Sequence, residues 1–250
     1  MQRYFVPANQ LSGQTVSIMG DDRHHIANVL RMTVNEQVLC TFDDERTALV
    51  EIEEITNEAI QGKVIKWIDE QKELPVHVTI VSGLPKGDKL EYIVQKGTEL
   101  GARSFIPFIT DRSIVKWDHK KAQKKTERLQ KIAKEAAEQS HRTHVPSVEA
   151  PMALPQLLDA AADFDFLLVA YEEEAKQGEK SALHKSFEMM KPGASVIVVF
   201  GPEGGLTEKE VAALKNAGFT ACGLGPRILR TETAPLYVLS AVSYHLELMG

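Results

Sequence analysis

One stretch constrains this chain more than any other: residues 195–234, SVIVVFGPEGGLTEKEVAALKNAGFTACGLGPRILRTETA. It opens with an apolar, β-branched run, residues 195–200, which predicts a buried strand. The run breaks directly into Gly201-Pro202-Glu203-Gly204-Gly205. A helix is predicted next. Thr207 supplies an N-cap and Glu210 completes a capping box before the apolar residues Val211, Ala212 and Leu214. Gly218 ends that helix. A short strand over residues 220–224 then leads to a second glycine turn, Gly225-Pro226. The polar string Arg230-Thr231-Glu232-Thr233 begins the last helix.

Two strand-to-helix turns almost bare of side chains give a ligand direct access to main chain, because glycine allows both positive φ and close approach. The same turns exclude two nucleotide folds. No G-x-G-x-x-G occurs in the stretch, and no acidic residue ends a following strand, so a Rossmann fingerprint does not fit. No G-K-[ST] occurs anywhere in the chain, so a P-loop does not fit.

Upstream, the pattern changes once. Residues 1 to about 70 hold short, roughly alternating β-branched runs at 16–19, 37–42, 48–55 and 60–68, with one helix near 24–30. Such a set predicts a small β-barrel. The charged EQKELP, residues 70–75, reads as a linker. Beyond it strands and helices alternate, the mark of an α/β layer with parallel strands. A strand at 76–84 leads into a helix from Asp88 to Leu100 closed by Gly101, and a strand at 104–109 follows. A helix at 153–161 precedes a strand at 166–171 that runs into Glu172-Glu173-Glu174 and a loop, residues 175–180. A helix over 181–190 returns the chain to Ser195. The carboxyl end of the 166–171 strand belongs beside the two glycine turns if all are parallel. These features divide the chain into residues 1–72 and 73–250.

The formal net charge of the 250 residues is −6, so bulk charge does not advertise a nucleic-acid partner. Between Lys116 and Arg142, however, nine basic residues stand against four acidic ones. The apolar positions Leu129, Ile132, Ala133, Ala136 and Ala137 repeat at helical spacing, which leaves Lys120, Lys121, Lys124 and Lys125 on the outer face. That stripe suits RNA phosphates, as well as any solvated helix. The two cysteines, Cys40 and Cys222, have no metal spacing and point to a reducing cytoplasm. No signal peptide and no membrane span is expected. The final helix, about residues 232–249, carries Leu236, Leu239, Val242, Leu246 and Met249 and must be buried against the sheet or a second chain.

The wording of both turns, GPEGGLTEKEV and LGPRILRTETAPLYVLS, resembles the RsmE-type ribosomal RNA methyltransferases of the SPOUT class. The likeness extends to MQRYFV, HHIANVLRM, KGDKLEYIVQKGTELG and EAAEQSHR, nearly the whole chain. The resemblance implies an α/β, trefoil-knotted SPOUT methyltransferase domain behind a small N-terminal PUA-like β-barrel that binds RNA. It implies S-adenosylmethionine (SAM) as cofactor, methylation of N3 of a uridine in small-subunit (16S) rRNA, free or in the 30S subunit, and a homodimer. No metal is implied. For SAM contact it implies Gly201, Gly205, Leu224, Gly225, Leu229, Arg230, Thr231 and Ala234, with Ala170 from the neighbouring strand end. For RNA it implies Arg3 and Arg31, and near the target nucleotide Gln139, Ser140 and Arg142.

Those residues suit that chemistry. SAM needs no phosphate cradle. Bare main chain can read its adenine edge, and Leu206, Leu224, Ile228 and Leu229 can supply apolar walls. Methylating uracil N3 requires loss of its proton, helped by a base and by a cation that stabilises charge on the ring oxygens. Arg230 suits the cationic role because it stays charged. Glu232 or Glu203 could be the base, although Glu232 is also a favourable anion at a helix N-terminus. Competing readings are another SPOUT enzyme acting on tRNA or a ribose 2′-hydroxyl, a non-catalytic RNA-binding protein and, more distantly, a nucleotide-dependent oxidoreductase.

Overall fold

The computed structural model describes residues 1–171 and 182–249. The acidic run 172–174, the loop 175–180 and the predicted helix start at Ser181 lie outside the described residues. The chain forms two compact units, Met1–Glu73 with Ala137–Val145, and Leu74–Ala136 with Pro146–Gly250.

The first unit is a six-stranded sheet: β1 (Arg3–Phe5), β2 (Leu11–Ser12), β3 (Thr15–Met19), β4 (Gln37–Thr41), β5 (Thr47–Ile55) and β6 (Ala59–Ile68). Their order is β1-β4-β5-β6-β3-β2, with no β1–β2 ladder among the described residues. β1 runs parallel to β4 and the other pairs are antiparallel. The four long strands fall where alternation predicts them. Val16, Ile18, Val38, Val50, Ile52 and Ile60 form one buried face together with Tyr4 and Ile26. The predicted helix is α1 (Gly20–His24), running into a π-helical turn, His25–Val29.

β1 and the segment 137–145 are additions that local pattern does not announce. Arg3 is only 2% exposed. Its guanidinium donates to the Oγ1 atoms of Thr41 (3.0 Å) and Thr47 (3.2 Å) and to the carbonyl of Arg142 (3.0 Å), and it pairs with Glu70. Arg142, also 2% exposed, forms a forked ion pair with Glu73. One oxygen of Glu73 accepts the amides of Thr143 (2.9 Å) and His144 (3.1 Å). Burial pushes the Glu73 carboxyl up, but Arg142 and those amides outweigh it and hold the group below its ordinary value. Buried charges persist only when paired in this way.

The second unit is a parallel sheet covered on both faces. Its strands are β7 (His77–Gly83), β8 (Ser104–Ile109), β9 (Ser147–Val148), β10 (Met152–Ala153), β11 (Phe166–Ala170), β12 (Ser195–Phe200) and β13 (Thr220–Cys222). The order is β10-β8-β7-β12-β11-β13, with β9 beside β8. Every pairing is parallel. The helices are α2 (Lys89–Glu99), α3 (His119–Gln139), α4 (Leu154–Ala160), α5 (Ala182–Met189), α6 (Glu208–Asn216) and α7 (Thr233–Ser243).

Period-two alternation sends β12 side chains to two cores. Val196, Val198 and Phe200 join Leu90, Ile93 and Val94 of α2 and Val238, Leu239 and Val242 of α7. Ile197 and Val199 join Leu157 of α4 and Val211 and Leu214 of α6. A sheet buried on both faces explains the near-continuous apolar strand runs.

Several boundaries differ from expectation. The strand predicted to reach Leu224 stops at Cys222. Regular α7 ends at Ser243 and continues as a π-helical turn, Tyr244–Leu248. Asp88 sits at the α2 N-cap, but its side chain makes no cap hydrogen bond. Gly101 closes α2 with a φ of +92°.

Candidate active site

Parallel strands bring their carboxyl ends to one edge, and the end of β11 meets the loops beyond β12 and β13 there. They enclose a cleft of about 670 Å³. The turn after β12 needs glycine on steric grounds. A Cβ on Gly201 would stand 2.9 Å from the Gly205 carbonyl carbon and from the Leu206 nitrogen. Gly205 has φ +69°, and its N–H donates to the Pro202 carbonyl at 2.8 Å. At the end of β7, a Cβ on Gly83 would lie 2.5 Å from Pro202.

Beyond the turn the predicted capping box is present. Thr207 Oγ1 accepts the Glu210 amide at 3.2 Å, and Glu210 Oε2 accepts the Thr207 amide at 2.7 Å. The other Glu210 oxygen accepts the Asp111 amide at 2.9 Å, tying α6 to the loop after β8. From that loop Arg112 donates to the carbonyls of Gly204 (3.0 Å) and Leu206 (3.2 Å). In the second turn Gly225 takes a φ of +90°. The Arg230 carbonyl accepts the amides of Thr233 (2.9 Å) and Ala234 (3.0 Å) at the start of α7.

Ala170, Gly201, Gly205, Leu224, Gly225, Leu229, Arg230, Thr231 and Ala234 all line this one cleft, with Leu206 and Ile228. Arg230 is exposed there. Sequence reasoning missed Lys89 and Arg112, which also line it. Both follow carboxyl ends of β-strands, so the crevice rule applied to β7 and β8 could have found them. Lys89 reaches Glu203 Oε1 at 3.0 Å and Glu232 Oε2 at 3.2 Å. The backbone N–H of Lys86 also donates to Glu203, at 3.1 Å. Burial raises the Glu203 carboxyl, but its own amide, Lys89 and the Lys86 amide outweigh that and hold it low. The carboxylates of Glu203 first, and of Glu232 second, push the Lys89 ammonium up.

The residues expected at RNA differ in their settings. Arg3 and Arg142 are buried and bonded inside the first unit, so as folded their guanidiniums hold structure. Arg31 is exposed, with φ +54°. Gln139 is exposed as the last residue of α3, and Ser140 is half-buried. Lys120, Lys121 and Lys124 are exposed together on α3. With Asp118, Lys125 and Arg128 they border a shallow hollow of about 420 Å³. Lys125 and Arg128 also pair with Glu91 of α2, at 3.3 and 2.6 Å. Among the described residues no cluster of three or more His, Cys, Asp or Glu could hold a metal ion. No helix among them is long and apolar enough to cross a membrane.

Comparison with known proteins places this geometry. A family profile described as an RNA methyltransferase domain matches residues 72–243, and one described as an RNA methyltransferase PUA domain matches residues 18–65. The chain is 53% identical to a ribosomal RNA small subunit methyltransferase E of Bacillus subtilis, over all of this chain and 98% of that one. A ribosomal RNA small subunit methyltransferase E of Neisseria gonorrhoeae, solved bound to S-adenosyl methionine, superposes with a TM-score of 0.86 at 30% identity, covering 98% of both chains. A methyltransferase of Legionella pneumophila, solved in complex with SAM, superposes with a TM-score of 0.85 at 28% identity, again over 98% of each chain.

Proposed function

We propose that this chain, which belongs to the ribosomal RNA small subunit methyltransferase E family, transfers a methyl group from SAM to N3 of a uridine in small-subunit rRNA. The observation that carries the reading is the convergence of both glycine turns and Arg230 on one cleft. The residues present fit SAM: the volume suits a small ligand, Gly205 and Gly225 leave main chain uncovered, and Leu206, Leu224 and Leu229 offer apolar walls. When bound, SAM supplies an electrophilic methyl group.

The protein's own part is positioning and charge. Arg230, exposed on the cleft, is assigned to the charge that spreads onto the uracil oxygens. Of the two carboxylates offered as proton acceptor, Glu203 lines the cleft but is held low and engaged by two donors, whereas Glu232 pairs with Lys89 and is not among the described lining residues. The parallel sheet and its order are consistent with the knotted SPOUT path. Exposed Tyr237, Tyr244, Leu248 and Met249 toward the carboxyl terminus support a homodimer. An rRNA substrate makes the cytoplasm its compartment, and two buried free thiols suit it.

The deciding experiment is transfer from labelled SAM to small subunits lacking the modification, followed by mapping of the labelled base. Label at uracil N3 is the expected result. Label on a ribose, on tRNA alone or nowhere would overturn the reading.

The α3 stripe is assigned to rRNA phosphates. Lys120, Lys121 and Lys124 lie about 6 Å or less apart along the helix axis, a row of cations on one face. Replacing these three and Lys125 with glutamine is expected to weaken RNA binding and to lower the slope of log K against log salt by about 2–3 for a single-stranded contact. An unchanged slope in a filter-binding salt titration would show that the stripe only faces water.

A further inference from the structure

Resting on the SAM reading of the cleft, the geometry points to Lys89 as a positioning residue that clamps the two glycine turns together and so sets the width of the cofactor site. Each turn has one carboxylate at hand, Glu203 within the first and Glu232 at the α7 N-cap that follows the second. Both reach the same ammonium, at 3.0 and 3.2 Å.

The need for a clamp is visible in the backbone. The first turn is well held. It has its own Gly205-to-Pro202 hydrogen bond, two bonds from Arg112, and the Lys86 amide on Glu203. The second is not. Among the described residues, no backbone–backbone hydrogen bond involves residues 224–229, although Leu224 and Leu229 line the cleft. Regular bonding resumes only at the Arg230 carbonyl. The Lys89–Glu232 pair lies just past the end of this unsupported stretch and links it to the well-held turn.

An isolated surface ion pair does little, but a shared cation between two loops restricts their relative motion. A wall fixed before the ligand arrives spares the ordering cost on binding. Lys89 stands at the start of α2, whose Leu90, Ile93 and Val94 are in the core. The clamp is therefore mounted on a rigid element, as a preorganised site requires.

The test is SAM affinity by isothermal titration, with the unfolding temperature of the ligand-free protein measured alongside. Lys89→Met is expected to raise Kd for SAM roughly 5- to 10-fold, on the scale of two partly exposed ion pairs. Lys89→Arg should restore most of the loss. Glu203→Gln should weaken binding in the wild type, but by clearly less in the Lys89→Met background, because the partner is already gone. The part-exposed Lys89 side chain predicts an unchanged unfolding temperature. Should the temperature fall, Glu203→Gln and Glu232→Gln carry the test and must each weaken binding. Wild-type affinity in these variants, no rescue by arginine, or fully additive losses would overturn the clamp. Absence of SAM binding to the wild type would instead overturn the reading of the cleft itself.

Discussion

Arg230→Ala is expected to lower methyl transfer by a factor on the order of 10² or more while leaving the fold intact. The side chain is exposed on the cleft, so its truncation removes no core packing. The structural work at this position is done by its carbonyl, which accepts the Thr233 and Ala234 amides, and alanine keeps that carbonyl. On the proposed mechanism, what disappears is a permanent cation beside the site where negative charge develops. Lysine restores charge without the planar fork, so Arg230→Lys should recover only part of the rate. Single-turnover transfer at saturating SAM, with circular dichroism as a check on folding, measures this. Wild-type turnover in Arg230→Ala would remove the residue from the chemistry.

Gly201→Ala is expected to raise Kd for SAM by about 10²-fold or more and to lower stability by roughly 1–3 kcal/mol, the range for a forced overpacking. The atoms in the way are main chain of Gly205 and Leu206, at 2.9 Å, so no rotamer change relieves the contact. The turn cannot drift aside easily, because Arg112 holds the Gly204 and Leu206 carbonyls. Gly204→Ala is the matched control. There the nearest atom is the Arg112 Cβ at 3.3 Å, which a small shift accommodates. Titration with SAM and thermal unfolding of both variants separate the two sites. Equal behaviour of Gly201→Ala and Gly204→Ala would show that the turn is softer than its packing implies.

The two glycine turns could be read from sequence because each is a local event. A strand, a glycine break and a helix cap lie within a dozen residues, and the Thr207–Glu210 box sits where the spacing puts it. The buried strand over residues 195–200 was legible for the same reason. What escaped depends on distant partners. Lys89 reads only as an early residue of the helix that starts at Asp88 until the fold places it against Glu203 and Glu232. Arg3 and Arg142 are matched to RNA by resemblance, and no local pattern announces the ion pairs with Glu70 and Glu73 that hold their guanidiniums. The second partner of Glu210, the Asp111 amide, is likewise invisible to a pattern that spans three residues.

The placement of residues 137–145 in the first unit has a consequence for biosynthesis. A ribosome makes a chain from its amino terminus, and early segments ordinarily fold first. Here Arg3 waits for the Arg142 carbonyl, and Glu73 waits for the Arg142 guanidinium. Until those atoms emerge, polar groups destined for the interior remain unsatisfied, which is costly to bury. The opening unit therefore completes late, after β7, β8 and most of α3 have been synthesised. Cut off at residue 73, it would be an unfinished object rather than a portable module.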